Sequence, residues 1–162
     1  LRPQSRGEIK LRSLSPDDRP AAHFNYLKHP DDLKEMVEGM RMMEDLLNQP
    51  AFDAFRGERI EPYPGLQSDQ ELANWVRANV STDYHPSGTC RMGSDSRCVV
   101  DSELRVHGIE RLRVVDASIM PDIVSGNLNA PTQMIAERAA DFILGQKQLA
   151  PQSAPYHFLA NH

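Results

Sequence analysis

Leu33, Met36, Val37, Met40, Met43 and Leu47 recur at three- and four-residue steps and draw one apolar stripe along a helix that Pro50 stops. No other stretch constrains the fold as strongly, because the remaining apolar residues arrive in short runs. Asp31 and Asp32 stand at the start of this helix, where carboxylates cap free amides and meet the positive end of the helix dipole. Met36, Met40, Met42 and Met43 could be read as a soft ligand box. Thioethers fill irregular gaps well, so core packing is the expectation.

The rest of the chain is polar around this helix. Its 162 residues suit one medium domain or part of a larger protein. The chain begins at Leu1 in what reads as loop and strand, which suggests a fragment. Hydrophobic residues make up 40% and the mean hydropathy is −0.54, so its apolar faces are expected to be completed by another part of the same protein. Lys and Arg number 18 against 23 Asp and Glu, a net charge of −5, and this mixed-sign acidity argues against nucleic-acid or anionic-membrane partners. Two cysteines, Cys90 and Cys98, make no disulfide framework. No apolar stretch approaches the about 20 residues of a membrane span, and nothing resembles a signal peptide. A reducing, cytoplasmic setting is the default, with peripheral membrane contact left open.

Along the chain, residues 7–13 alternate as a half-buried strand, Pro16 to Pro20 break it, and His23 to Leu27 read as a second strand pairing with the first. Residues 56–67 read as loop. Ser68 to Glu71 form a capping box ahead of a helix burying Leu72, Trp75 and Val76. Trp75 is read as packing rather than binding. From Asp83 the character changes: small polar residues cluster from Ser87 to Ser96. Short β pieces follow at 98–101, 104–106 and 112–116, and then a loop at 121–126. The last helix is expected over Pro131 to Leu144, with proline at its first position and Gly145 as a left-handed stop. Residues 1–82 thus read as α+β, 83–146 as strands, a site loop and a helix, and 147–162 as a tail.

Two runs carry chemistry. Tyr84-His85-Pro86-Ser87-Gly88-Thr89-Cys90-Arg91-Met92-Gly93 places an imidazole in a turn-forming context, and Pro86 restricts His85 to an extended backbone. Imidazole titrates near neutrality and suits proton acceptance, although a surface turn histidine is the plain alternative. Asn127-Leu128-Asn129-Ala130-Pro131-Thr132 puts two carboxamides before a helix. They could cap it, or they could hold a substrate hydroxyl, since an amide both donates and accepts. The helix start also favours a developing anion. Leu112 to Ser118 reads as a buried strand ending in Asp116, which could contact a cofactor or form a turn. Cys90, Cys98, His85 and His107 lack zinc spacing, so no metal is expected. A hydrolase built from Ser87, His85 and Asp116 lacks a nucleophile elbow.

Taken together these runs resemble the C-terminal part of the glucose–methanol–choline (GMC) oxidoreductase family, nearest to its choline-type and FAD-dependent alcohol dehydrogenases. Further matches are Pro3 to Gly7, Asn25 to Leu27, Gln49 to Phe52, Val100-Asp101, Leu104 to Gly108, Leu112 to Pro121 and Met134 to Glu137. The resemblance implies that residues 1–82 are a substrate-domain portion and that 83–146 supply the active-site loop with the C-terminal strand and helix of an FAD-binding α/β domain. It implies His85 as catalytic base and Asn127 as the second catalytic position. It also implies Asp116, Ala117, Asn127, Leu128, Asn129 and Thr132 as FAD contacts. The substrate would be choline or a primary alcohol, and the partner the N-terminal FAD-binding part of the same enzyme. The family's glycine-rich FAD fingerprint has no counterpart here, so the rival expectation is a non-catalytic fragment or binding module.

Overall fold

The computed structural model describes residues 3–60 and 68–153. The chain is α+β and divides into two compact units, Leu1–His85 and Pro86–His162.

In the first unit, β1 (Glu8–Lys10) pairs antiparallel with β2 (Ala21–His23), Ile9 opposite Ala22. Both strands are shorter than the alternation predicts, and β1 is exposed along its whole length rather than half-buried. The second strand ends before it reaches Leu27. Asn25 and Leu27 take positive φ angles of 55° and 57°, which no strand accommodates.

The apolar stripe forms α1 (Pro30–Leu47), which packs against α2 (Asp69–Asn79) with Val37, Leu72 and Val76 buried. Trp75 is half-buried. The expected capping box is present: Glu71 N–H donates to Ser68 Oγ at 3.2 Å, and Ser68 N–H donates to Glu71 Oε2 at 2.9 Å. Asp31 and Asp32 lie in the first turn of α1 as expected, but neither caps it. His29 caps it, its Nδ1 accepting from Asp31 N–H at 3.4 Å. Asp32 does not cap. It turns away and accepts the backbone N–H of Gln4 at 2.7 Å and of Ser5 at 2.9 Å, while only 7% exposed. A buried carboxylate needs such partners.

The methionine stripe is not core. Met36 and Met43 are 45% and 52% exposed, and with Gly39, Met40 and Leu47 they line an open groove of about 380 Å³. The helix is amphipathic as predicted, but among the described residues only part of its apolar face is covered. Beyond α1, Pro50 opens a short 3-10 turn, Pro50–Phe52. Arg41 joins Glu44 on α1 to Asp69 on α2, at 3.1 and 3.2 Å, and Arg59 reaches Glu44 at 2.7 Å.

The second unit contains a 3-10 turn, Ala117–Ile119, and α3 (Asn129–Leu144). Its core is Val100, Leu104, Ile119 and Ala139, with Met92, Val99, Val106, Val114 and Ile135 packed against it. The predicted β pieces survive only as single bridges: Met92 with Val100, Val100 with Val106, and Arg105 with Arg113. Residues 112–116 are not a buried strand, for Leu112 and Val115 are exposed and only Val114 points into the core. The chain between the bridges turns too often for a ladder. Asp101, for example, accepts the N–H groups of Glu103 and Arg105 at 2.8 and 3.0 Å.

Helix α3 begins two residues earlier than expected, so Pro131 is its third residue. The misplacement costs nothing, because none of the first four amides has an intrahelical acceptor. Gly145 ends α3 at φ 66°, in the left-handed region as expected. Among the described residues no helix is long and apolar enough to cross a membrane. Parts of the expected 56–67 loop (61–67) and of the tail (154–162) lie outside the described residues.

Candidate functional site

The loop after Pro86 is held by its main chain. Gly88 N–H donates to the Ala117 carbonyl at 3.3 Å, Cys90 N–H to that of Ser118 at 2.9 Å, and Met92 N–H to that of Ile119 at 2.7 Å. Three successive carbonyls of the 3-10 turn therefore receive every second amide of the loop. Gly88 makes this approach possible. Its φ is +82°, and a Cβ there would sit 3.2 Å from the Met120 carbonyl. Within the loop, Arg91 grips both oxygens of Asp95 at 2.7 Å. This pairing draws the Asp95 carboxyl below its ordinary value and raises that of Arg91.

Asp116 stands at the head of the 3-10 turn and Ala117 within it, not at the end of a strand. The Asp116 carboxylate performs the turn role: its Oδ1 accepts Ser118 N–H at 2.7 Å. The side chain is exposed, and Oδ2 faces no partner among the described residues. The loop and the turn are thus one structural piece, and Ile119 anchors it to α3 through the core. The amides of residues 88, 90 and 92 are contributors that no side-chain motif reveals. The glycine at 88 was their one visible signal.

The start of α3 is open. Its cap residue is Leu128, buried, and no side chain caps the helix. Neither Asn127 nor Asn129 serves as the cap. Asn127 lies before the helix, exposed, and its carboxamide makes no hydrogen bond among the described residues. Asn129 is the first helical residue, and its Oδ1 accepts from Gln133 at 3.1 Å. Thr132 turns inward, its hydroxyl donating to the Leu128 carbonyl at 2.7 Å. Of the predicted residues here, Asn127 alone offers an uncommitted side chain, next to helix amides that lack a partner.

His85 is the last residue of the first unit and is half-buried. Its ring has no hydrogen-bond partner among the described residues. The residue before it, Tyr84, has a φ of +60° and an N–H that donates to Thr82 Oγ1 at 2.9 Å. His107, weighed as a metal ligand, has Nε2 2.9 Å from the Gly93 carbonyl. Among the described residues no group of three or more His, Cys, Asp and Glu could hold a metal ion.

Comparison with known proteins places these features in context. A family model described as GMC oxidoreductase matches residues 3–136. The chain is 51% identical over 161 residues to an oxygen-dependent choline dehydrogenase of Burkholderia lata, covering 99% of this chain and 28% of the relative. It is 48% identical over 161 residues to an Escherichia coli protein of the same name, covering 99% and 29%. The fold matches the crystal structure of a pyridoxine 4-oxidase from Mesorbium loti, with a TM-score of 0.83, 30% identity and coverage of 91% and 29%. It also matches an FAD-dependent oxidoreductase from Chaetomium thermophilum, with a TM-score of 0.84, 30% identity and coverage of 90% and 25%. The chain thus spans less than a third of the relatives it matches.

Proposed function

Since the chain belongs to the GMC oxidoreductase family, we propose that it forms the C-terminal part of an FAD-dependent alcohol dehydrogenase acting on choline or a primary alcohol. The single observation that carries this reading is the uncommitted Asn127 carboxamide standing before an uncapped helix. Helix starts are ordinarily capped by a side chain, and one left bare by its own flanking asparagines suits a ligand.

FAD fits the donor set of the second unit. Asp116 keeps one carboxylate oxygen free, Ala117 presents backbone, and Leu128, its side chain buried, joins the first turn of α3 in offering amides. Asn127, Asn129 and Thr132 complete the contacts, the last two with side chains already half engaged inside the helix. Bound FAD supplies the acceptor for a hydride leaving the alcohol carbon. The N-terminal part of the same protein supplies the rest of its cradle.

The residues of this chain handle the oxygen and the proton. His85 accepts the hydroxyl proton on a ring nitrogen, a role that needs an unoccupied acceptor, and its ring is unengaged among the described residues. Asn127 donates its amide N–H to the alcohol oxygen and orients it. The positive end of α3 stabilises negative charge that builds beside it.

The test is His85→Ala in the full-length protein. Turnover of choline or a primary alcohol should fall by about 10²–10⁴, the usual cost of losing a general base, while the flavin absorbance stays in place. Near-normal turnover would refute the assignment.

A further inference from the structure

Tyr84 holds a backbone angle that bulky side chains rarely adopt, φ +60°. Leu104 holds nearly the same angle, +66°, but Leu104 is 4% exposed and locked in the core of the second unit. Tyr84 has no such support, since it is 84% exposed. Strained dihedrals persist only where their surroundings over-determine them. What is held is the peptide that enters Tyr84: its N–H donates to the Thr82 hydroxyl oxygen at 2.9 Å, the two-residue turn that threonine side chains form.

The consequence falls on the next residue. His85 follows a backbone reversed at Tyr84 and precedes Pro86, which bars it from helical angles. The backbone of His85 is therefore constrained from both sides by local chain geometry. We propose that Thr82 is a positioning residue for His85, its hydroxyl fixing the peptide plane that enters Tyr84 and with it the course of the chain into His85. The proposal rests on the reading of His85 as the proton acceptor.

The experiment uses the full-length, FAD-loaded protein with choline as substrate. Thr82→Val keeps the branched shape and removes the hydroxyl, whereas Thr82→Ser keeps the acceptor. Thr82→Val should lower kcat about tenfold, since misplacing a reacting group by even 1 Å can cost about 10². The KM should stay within about twofold, the sign of an interaction that acts at the transition state. Flavin content should not change, and Thr82→Ser should return kcat to within about threefold of the parent, since the hydroxyl oxygen is retained.

His85→Ala, measured alongside, separates the two ideas. Turnover lost in His85→Ala but kept in Thr82→Val overturns the positioning role and leaves the base standing. Turnover kept in His85→Ala removes the base and the positioning role with it. Thr82→Val that loses flavin, or raises KM at constant kcat, or a Thr82→Ser as slow as Thr82→Val, also overturns the proposal.

Discussion

The two units of the chain are held by different means. In the second, Val100, Leu104, Ile119 and Ala139 close on one another, and main-chain bonds lash the 88–92 loop to the turn that ends in Ile119. In the first, only Val37, Leu72 and Val76 are buried apolar side chains among the described residues. There a carboxylate, Asp32, is sunk where an apolar residue would ordinarily sit, while the methionines of α1 stay open. One unit is organised from an oily centre outward. The other relies on helix pairing, an ion-pair clamp at Glu44 and a polar latch on its N-terminal segment.

That contrast can be broken by measurement on the full-length protein. Ile119→Ala should be the costliest change, about 2–5 kcal/mol by urea denaturation, because it leaves a cavity under the loop and against α3. Asp32→Asn should cost about 1–3 kcal/mol, since one of the two amides loses its buried acceptor and both lose the charge. An Asp32 penalty larger than that of Ile119 would reverse the comparison.

The latch also has an acid signature. Burial pushes the Asp32 carboxyl up, but the Ser5 hydroxyl, the amides of Gln4 and Ser5 and the nearby His29 outweigh it and hold the group below its ordinary value of 3.8. A group lowered in the folded state stabilises it fully above the unfolded value. That contribution fades as pH falls through the lower, folded one. The difference between parent and Asp32→Asn should therefore be constant near neutrality and shrink below pH 3.8. A difference unchanged down to the lowest pH of the series would dismiss the latch.

The smallest effect is expected at Met43→Ser, within about 0.5 kcal/mol, as for exposed positions generally. A loss of several kcal/mol would mean that the open face of α1 is covered in the full-length protein, and the contrast between the units would soften.

What could be read in the sequence followed the range of each interaction. The capping box Ser68–Glu71 and the Gly145 stop are complete within a few residues, and both stand as read. The stripe on α1 was legible as a helix but not as an open face, because periodicity reports which residues align and says nothing of what lies against them. Asp32 looked like a helix-start carboxylate. Its true partners, Gln4 and Ser5, lie 28 and 27 residues away. The start of α3 was misplaced because Pro131 is tolerated anywhere in the first turn, and so marks a helix start without fixing it. In the site, Asp116 and Asn127 were visible as residue types. That one is half committed to a turn and the other uncommitted depends on how the backbone around each is folded.

The three bonds from Gly88, Cys90 and Met92 to Ala117, Ser118 and Ile119 carry a consequence for how such a loop can diversify. Each is made by peptide groups at both ends, so apart from the glycine and a bar on proline at the donors, it is indifferent to the side chains around it. Serine, threonine, cysteine and arginine positions on this loop can drift or be reassigned while the scaffold keeps its shape. A frame written in main chain lets lineages rewrite its chemistry without first redrawing its architecture.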